Sequence, residues 1–138
     1  MTLVLIVEDD PVTLLTLEKT LDKVGYRTLS TVNGSEGLSS FIKDKPDLIL
    51  MDIMMPVMDG YEAVQAIRNY EVSNSIPILM LTALDDTEAI DLAFESGATD
   101  FITKPLNFKL LAQRVKYTLR AAALEDKLRT SQAQIQYA

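Results

Sequence analysis

Cysteine and histidine are both missing from this sequence of 138 residues. The absence of cysteine excludes disulfides, thiolate zinc sites and thiol nucleophiles. The absence of histidine removes the usual general base and the commonest nitrogen ligand for metals. Any metal binding or catalysis by this chain must therefore use oxygen ligands.

Cations and long hydrophobic runs are also scarce. Lysine and arginine number 13 against 20 aspartates and glutamates, which gives a formal net charge of −7. Because phosphate binding needs clustered cations, this segment is not expected to bind nucleic acid by itself, which leaves open a DNA-binding neighbour outside it. The first apolar run, Met1 to Val7, is short and has no basic flank, so we expect neither a signal peptide nor a membrane span. A cytoplasmic location is the resulting expectation.

The sequence does contain a regular alternation of short apolar runs and helical patterns. Its composition, 48% hydrophobic and 24% charged, is typical of one globular domain with a sizeable core. Strict alternation requires crossover connections, and this predicts a doubly wound α/β domain with a parallel sheet between two layers of helices. The five strands are predicted at Leu3 to Val7, Tyr26 to Thr31, Leu48 to Met51, Ile78 to Thr82 and Phe101 to Thr103.

Capping residues and glycines mark the helices between these strands. Glycines at 25 and 97 are expected to end the first and fourth helices in a left-handed conformation. In the fourth helix, Ile90, Ala93 and Phe94 are expected to form the buried stripe. Polar caps predict helix starts at Asp10, Asn33, Asp85 and Asn107, and a further helix is predicted from Tyr61 to about Asn69.

Polar side chains stand at the carboxyl ends of these strands. Glu8 and Asp9 follow the first strand, Asp52 ends the third, Thr82 ends the fourth and Lys104 follows the fifth. In doubly wound sheets this edge forms the functional crevice. Carboxylates gathered there repel one another unless a cation lies among them, and hard oxygen ligands suit Mg²⁺. An ionised Asp52 could then attack a phosphorus centre. The alternative is that Asp52 is only a polar residue that ends its strand.

Four motifs follow one another along residues 3 to 120: Val7-Glu8-Asp9-Asp10, the stretch from Leu50 to Gly60, Leu81-Thr82-Ala83, and the stretch from Phe101 to Pro105. Together they resemble the CheY-like receiver domain of two-component response regulators. The resemblance implies a flavodoxin-like fold with strand order 2-1-3-4-5 and five helices. It also implies that residues 1–120 form the receiver domain.

The resemblance assigns a chemical role to each residue of the acidic crevice. Asp52 is implied to be the phosphoacceptor for a histidine kinase or phosphotransfer protein. Glu8, Asp9 and Asp52, with the backbone carbonyl of Met54, are implied to hold Mg²⁺. Lys104 is implied to pair with the phosphoryl group. The expected function is a signalling switch and not a conventional turnover enzyme.

The same resemblance assigns the switch residues. Thr82 corresponds to a hydroxyl that moves toward the phosphoryl group, and Phe101 occupies an aromatic position where tyrosine is commoner. Phosphorylation is then expected to change the surface formed by helix four, strand five and helix five, and to favour a homodimer. Taken singly, Thr82 could be an ordinary strand residue, Lys104 a solvated cation and Phe101 part of the core.

Rival functions fit these residues less well. A haloacid-dehalogenase-like phosphatase resembles a pattern with a second acid two residues after the nucleophile, where this chain has Met54. A flavodoxin-like cofactor binder needs a phosphate loop after strand one, where Glu8, Asp9 and Asp10 would repel a phosphate. The remaining rival is a receiver-like scaffold that binds partners without phosphorylation.

The last helical pattern continues past residue 120, so residues 121–138 are interpreted as a helical linker toward an absent output domain. One seam repeats every seven residues and is typical of a coiled coil. The alternative is a solvated or frayed helical tail, because Arg114 and Ser131 weaken the seam. The seam comprises Leu110, Tyr117, Leu124, Ser131 and Ala138, with Arg114, Ala121, Leu128 and Ile135 between them.

Two side chains near the crevice bear on the lifetime of an acyl phosphate. In receivers, the residues two after the phosphoacceptor and two after the switch hydroxyl influence the attacking water. Here these are Met54 and Leu84, and neither can orient a water or accept its proton. The sequence therefore predicts a long-lived phosphorylated state.

Overall fold

The computed structural model describes residues 1–70, 76–83 and 87–137, and the side chains of residues 130–137 are outside this description. Strands and helices alternate through this part of the chain, as the pattern of apolar runs predicts. The elements are β1 (Leu3–Val7), α1 (Pro11–Lys23), β2 (Arg27–Thr31), α2 (Gly34–Asp44), β3 (Leu48–Asp52), α3 (Gly60–Tyr70), β4 (Ile78–Thr82), α4 (Thr87–Ser96), β5 (Asp100–Thr103) and α5 (Phe108–Tyr137).

The strands form one parallel sheet in the order β2-β1-β3-β4-β5. Each connection contains a helix, as parallel neighbours require. The doubly wound, flavodoxin-like order expected from the resemblance is therefore confirmed. β1, β3 and β4 lie inside the sheet, while β2 and β5 form its edges.

The central strands have apolar side chains on both faces, because helices cover both sides of the sheet. On one face Leu5 and Ile49 join a core completed by α2, α3 and α4. On the other face Ile6 and Leu50 pack with residues of α1 and α5, including Leu111. The two cores hold the central strands rigidly and leave only their carboxyl ends open to solvent.

The helices begin where the polar caps predict. The Asp10 side chain accepts a hydrogen bond from the Thr13 amide at 2.9 Å, and Asn33 accepts one from the Glu36 amide at 2.9 Å. Asn107 caps α5 in the same way, with the Leu110 amide at 3.1 Å. Asp85, the predicted cap of α4, lies outside the described residues. The predicted glycine stops are also confirmed, since φ is +90° at residue 25 and +112° at residue 97.

The predicted buried stripe of α4 is wrong at Phe94. Ala93 is buried against the sheet, but Phe94 is 45% exposed. Successive residues on an α-helix point about 100° apart, so the residue after Ala93 cannot face the sheet as well. The ring instead packs edge-on against Phe101 of β5, with 5.8 Å between the centroids.

α5 is one continuous helix of 30 residues, which confirms the extended last helix. Its first half packs against β1 and β3 through Leu111 and Val115. Its second half extends past the sheet, and Leu124 and Leu128 there are exposed. Among the described residues, no helix combines the length and the apolar character needed to cross a membrane.

Candidate functional site

Strand register brings two carboxylates together at the open edge of the sheet. Val7 is paired with Met51 in neighbouring strands, so Glu8 and Asp52 continue the two strands side by side. Both side chains are buried, whereas Asp9 next to them is exposed. Carboxylate oxygens of Glu8, Asp9 and Asp52 lie within 4.8 Å of one another. The three acids predicted to share the crevice therefore meet there.

Lys104, the residue that follows β5, reaches into this acidic cluster. Its Nζ lies 3.2 Å from Oε1 of Glu8 and 3.2 Å from Oδ1 of Asp52. The Lys104 amide donates a 2.7 Å hydrogen bond to the Thr82 carbonyl, which holds the end of β5 beside the end of β4. The lysine that the sequence placed after strand five is thus an ion-pair partner of the buried acids and not a solvated cation.

Burial and charge shift the titration of two groups in the cluster. Burial, together with a hydrogen bond and repulsion from Asp52, raises the pKa of Glu8 from 4.5 to about 7. Burial acts against the charge on Lys104, but attraction to Asp52 and Glu8 outweighs it and raises the pKa of the lysine. The cluster therefore concentrates negative charge that a single lysine balances only in part.

The donor set fits a divalent cation. Three carboxylates and one ammonium leave a formal charge of −2 when all are ionised. All the acidic ligands are hard oxygens, which Mg²⁺ prefers over nitrogen or sulfur. Asp9 is exposed, so an ion has a route from solvent to the buried pair. An acidic pocket of this composition suits Mg²⁺ without any further ligand type.

The predicted switch residues lie next to the cluster. Thr82 is buried at the tip of β4, with Thr103 of β5 as its register partner. Phe101 is half-buried, and its ring contacts Phe94 of α4. Met54 lies in the loop after β3 with its side chain 67% exposed. The orientation of the Met54 carbonyl toward an ion stays a prediction.

Gly60 is a residue of the site that the sequence reasoning interpreted only as part of a loop ending. Its amide donates a 2.8 Å hydrogen bond to the Ile53 carbonyl. A Cβ at this position would collide with the backbone carbonyl of Asp52. Glycine therefore lets the start of α3 pack directly behind the strand that ends in Asp52. Its place at the first position of α3, directly after the capping residue Asp59, was the available signal.

Fold and site together define a class of protein. A parallel sheet of order 2-1-3-4-5 is the arrangement of flavodoxin-like α/β domains, and the acidic cluster of this chain lies at the carboxyl edge where such domains bind their ligands. Residues 4–116 match the family described as the response regulator receiver domain. The chain belongs to this family, and so is a receiver domain of the kind used in two-component systems. Receiver domains bind Mg²⁺ at an acidic pocket, which corresponds here to the cluster of Glu8, Asp9 and Asp52.

Similar proteins include regulators and solved receiver structures. The transcriptional regulatory protein AfsQ1 of Streptomyces coelicolor is 34% identical over 88% of this chain and 53% of its own length. The signal receiver domain of a signal transduction histidine kinase from Syntrophus aciditrophicus is 37% identical, with a TM-score of 0.81 over 88% of this chain and 92% of that one. The chemotaxis protein CheY4 of Vibrio cholerae is 33% identical, with a TM-score of 0.81 over 86% and 98%.

The chain spans about half the length of the curated regulators that it matches. These regulators therefore have sequence beyond the region shared with this chain. The similarity is confined to that shared region.

Proposed function

We propose that this chain is a phosphorylation-dependent switch in which Asp52 accepts a phosphoryl group from a histidine kinase or a phosphotransfer protein. The observation that carries the proposal is the position of Asp52, a buried carboxylate at the tip of a central strand, 3.2 Å from an ammonium group and beside two further acids. Membership of the receiver family supports the same role. Residues 1–138 contain no histidine, so the donor imidazole lies outside this segment.

The proposed step is a transfer between two nucleophiles. A carboxylate oxygen of Asp52 forms a bond to phosphorus, the bond from phosphorus to the donor's imidazole nitrogen breaks, and the electron pair stays on that nitrogen. Lys104 neutralises charge on the phosphoryl oxygens, for which its position beside Asp52 is suited. Glu8, Asp9, Asp52 and the Met54 carbonyl would hold Mg²⁺, which supplies further charge neutralisation there.

The proposed response begins at Thr82. Its hydroxyl moves toward the phosphorylated Asp52, and the ring of Phe101 turns into the space that this movement vacates. Thr82 is buried at the adjacent strand tip and Phe101 is only half-buried, so both have the starting positions that such a movement needs. The α4–β5–α5 surface, formed by residues 87–96, 100–103 and the first half of α5, then changes and favours a homodimer.

We further propose that residues 1–120 act as the receiver and residues 121–138 as a helical linker to an output domain. Support comes from the greater length of the matching regulators and from the uninterrupted course of α5. The output is regulation and not substrate turnover, in keeping with the transcriptional regulators among the relatives.

Labelling with a small-molecule phosphodonor tests the proposal. The chain is incubated with radiolabelled acetyl phosphate, with Mg²⁺ or with EDTA, and the protein-bound label is counted. We expect Mg²⁺-dependent labelling of the native chain and none of Asp52→Asn. Asp59→Asn is the matched control, because Asp59 caps α3 through the Glu62 amide and asparagine caps equally well. Absence of label on the native chain would overturn the phosphoacceptor role.

A further inference from the structure

Helix α5 has two apolar faces that serve different purposes. The inner face is buried in the domain core, where Leu111 and Val115 contact the sheet. The outer face has no cover from the described part of this chain, although its side chains are large and apolar. The exposed fractions on the outer face are 64% at Leu110, 68% at Tyr117, 61% at Leu124 and 60% at Leu128.

The outer face has the spacing of a coiled-coil seam. Leu110, Tyr117 and Leu124 are seven residues apart and take the d positions of a heptad, while Ala121 and Leu128 take the a positions between them. A stripe with this period faces one direction along a gently supercoiled helix. The structure separates this stripe from the core-facing residues, so it can be covered without any change to the domain core.

We propose that the outer face pairs with the same face of a second copy of this chain in a parallel, in-register, two-stranded coiled coil. This arrangement specifies how the two chains of the proposed homodimer meet. It rests on the proposed function only for the claim that phosphorylation favours the dimer. It adds the orientation and the register of the two helices.

Charge complementarity selects the parallel arrangement. In a parallel dimer a g residue faces the e residue five positions later in the other helix, so Arg120 faces Glu125 of the second copy. Symmetry makes this attraction occur twice. In an antiparallel arrangement g faces g, which brings Arg120 toward Lys127 and opposes like charges. Arg120, Glu125 and Lys127 are all exposed and available for these contacts.

Arg114 is the one charged residue in the described part of the seam, and its side chain is held to one side of the seam. Its guanidinium forms an ion pair with Asp100 at the start of β5. The contact draws the charge toward the sheet and leaves the seam to its apolar members. It also places the beginning of the seam beside β5, so the seam continues directly from the α4–β5–α5 surface.

A single cysteine in each helix tests the orientation, and the chain provides a background free of cysteine. In a parallel, in-register pair, the two copies of residue 124 face each other within disulfide range. We expect Leu124→Cys to form a disulfide dimer under mild oxidation of the full chain, with and without beryllofluoride. Ala123→Cys, on the outside of the pair, is the matched control and should remain monomeric on a non-reducing gel. Equal cross-linking of the two variants, or cross-linking of neither, would overturn the arrangement.

Charge reversal tests the register. Arg120→Glu should weaken self-association, measured by sedimentation equilibrium, by about tenfold, because two attractions become two repulsions. Arg120→Glu with Glu125→Arg should restore it. Lys116→Glu, an exposed position outside the seam, should leave it unchanged. Monomers at all concentrations, or a double variant as weak as the single one, would count against the proposal. Failure of acetyl phosphate labelling would remove the switch but leave this interface standing.

Discussion

The two halves of the site are built on different kinds of strand. Glu8 and Asp52 extend β1 and β3, which lie inside the sheet, and all five residues of β3 are buried. Phe101 belongs to β5, an edge strand of four residues of which none is fully buried, and Lys104 directly follows that strand. The acids are therefore anchored by strands buried between two cores, while β5 meets those cores only through partly buried side chains, Phe101 on one face and Ile102 on the other.

Under the proposed function, this difference separates the residues that would stay still from those that would move. A nucleophile and its metal ligands need fixed positions, which a fully buried strand provides. A switch residue needs a second conformation within a few kcal/mol, and elements with fewer buried contacts offer that. The fold thus provides a rigid half and a yielding half within one crevice.

The largest effect is expected from core truncations, compared between the two halves of the site. Leu50→Ala removes a fully buried side chain from β3 and should lower the free energy of unfolding by about 2 to 5 kcal/mol. Ile102→Ala removes a half-buried side chain from β5 and should cost about half as much. Urea denaturation followed by circular dichroism measures both. Equal losses would break the distinction between the halves.

The rigid half should also show a pH dependence through Glu8. Its pKa is raised in the folded chain, so the folded state binds more protons than the unfolded state between about pH 4.5 and 7. Stability in EDTA should therefore fall as pH rises through this range, by roughly 3 kcal/mol at most. The lowered pKa of Asp10 acts below this range and the raised pKa of Lys104 acts above it.

Unfolding midpoints at pH 5, 6, 7 and 8 check this expectation. Glu8→Gln, which keeps the shape and removes the titration, should give a flat profile. Added Mg²⁺ should restore the stability of the native chain at pH 8, since the ion is expected to favour the ionised carboxylates. A native profile as flat as that of the variant would contradict the role of Glu8.

A smaller effect is expected at the rim of the crevice, where the side chain of Met54 is exposed. Met54→Asn with Leu84→Glu should speed dephosphorylation by about tenfold to a hundredfold, or roughly 1.4 to 2.7 kcal/mol of barrier, because both new side chains can orient water. Leu84 lies outside the described residues, so this prediction rests on the sequence. Phosphoryl half-lives of the two proteins decide it, and an unchanged half-life would exclude water positioning as the limit.

The smallest effect is expected in the yielding half of the site. Phe94→Ala removes the edge-on contact with Phe101 and should cost about 0.5 to 1.5 kcal/mol of stability. Tyr70→Ala, which removes a similar contact with Phe41, is the matched control. Only the first variant should also change the beryllofluoride concentration needed for half-saturation. A shift of the same size in both variants would show that the ring contact has no specific link to the switch.

Much of this architecture was predictable from single residues. Asp10, Asn33 and Asn107 carry local capping signals, and the structure confirms each cap. The strand ends that gather Glu8, Asp52 and Lys104 follow from alternation and from the general geometry of parallel sheets. Signals of this kind act over a few residues or through one topological rule, so they can be recognised in the sequence alone.

The contacts that escaped prediction join distant parts of the chain. Phe94 was expected to be buried, and its edge-on contact with Phe101 depends on how α4 packs beside β5. The collision that forces glycine at position 60 involves the backbone of Asp52 and Ile53, eight and seven residues earlier. The ion pair between Asp100 and Arg114 depends on how α5 lies along β5. Periodicity carries no information on such relative placements.

The length of α5 gives the molecule a mechanical property. About 19 residues separate Thr118, the last residue buried in the domain, from Tyr137, and at 1.5 Å per residue they form an arm of roughly 30 Å. A tilt of only about 5° at the base of such an arm displaces its far end by about 2.5 Å. An arm of this length would enlarge a movement at the edge of the sheet, as a lever does. The displacement of the far end grows with the length of the arm. Lengthening the arm by whole heptads would therefore increase this displacement while preserving the direction in which the far end points.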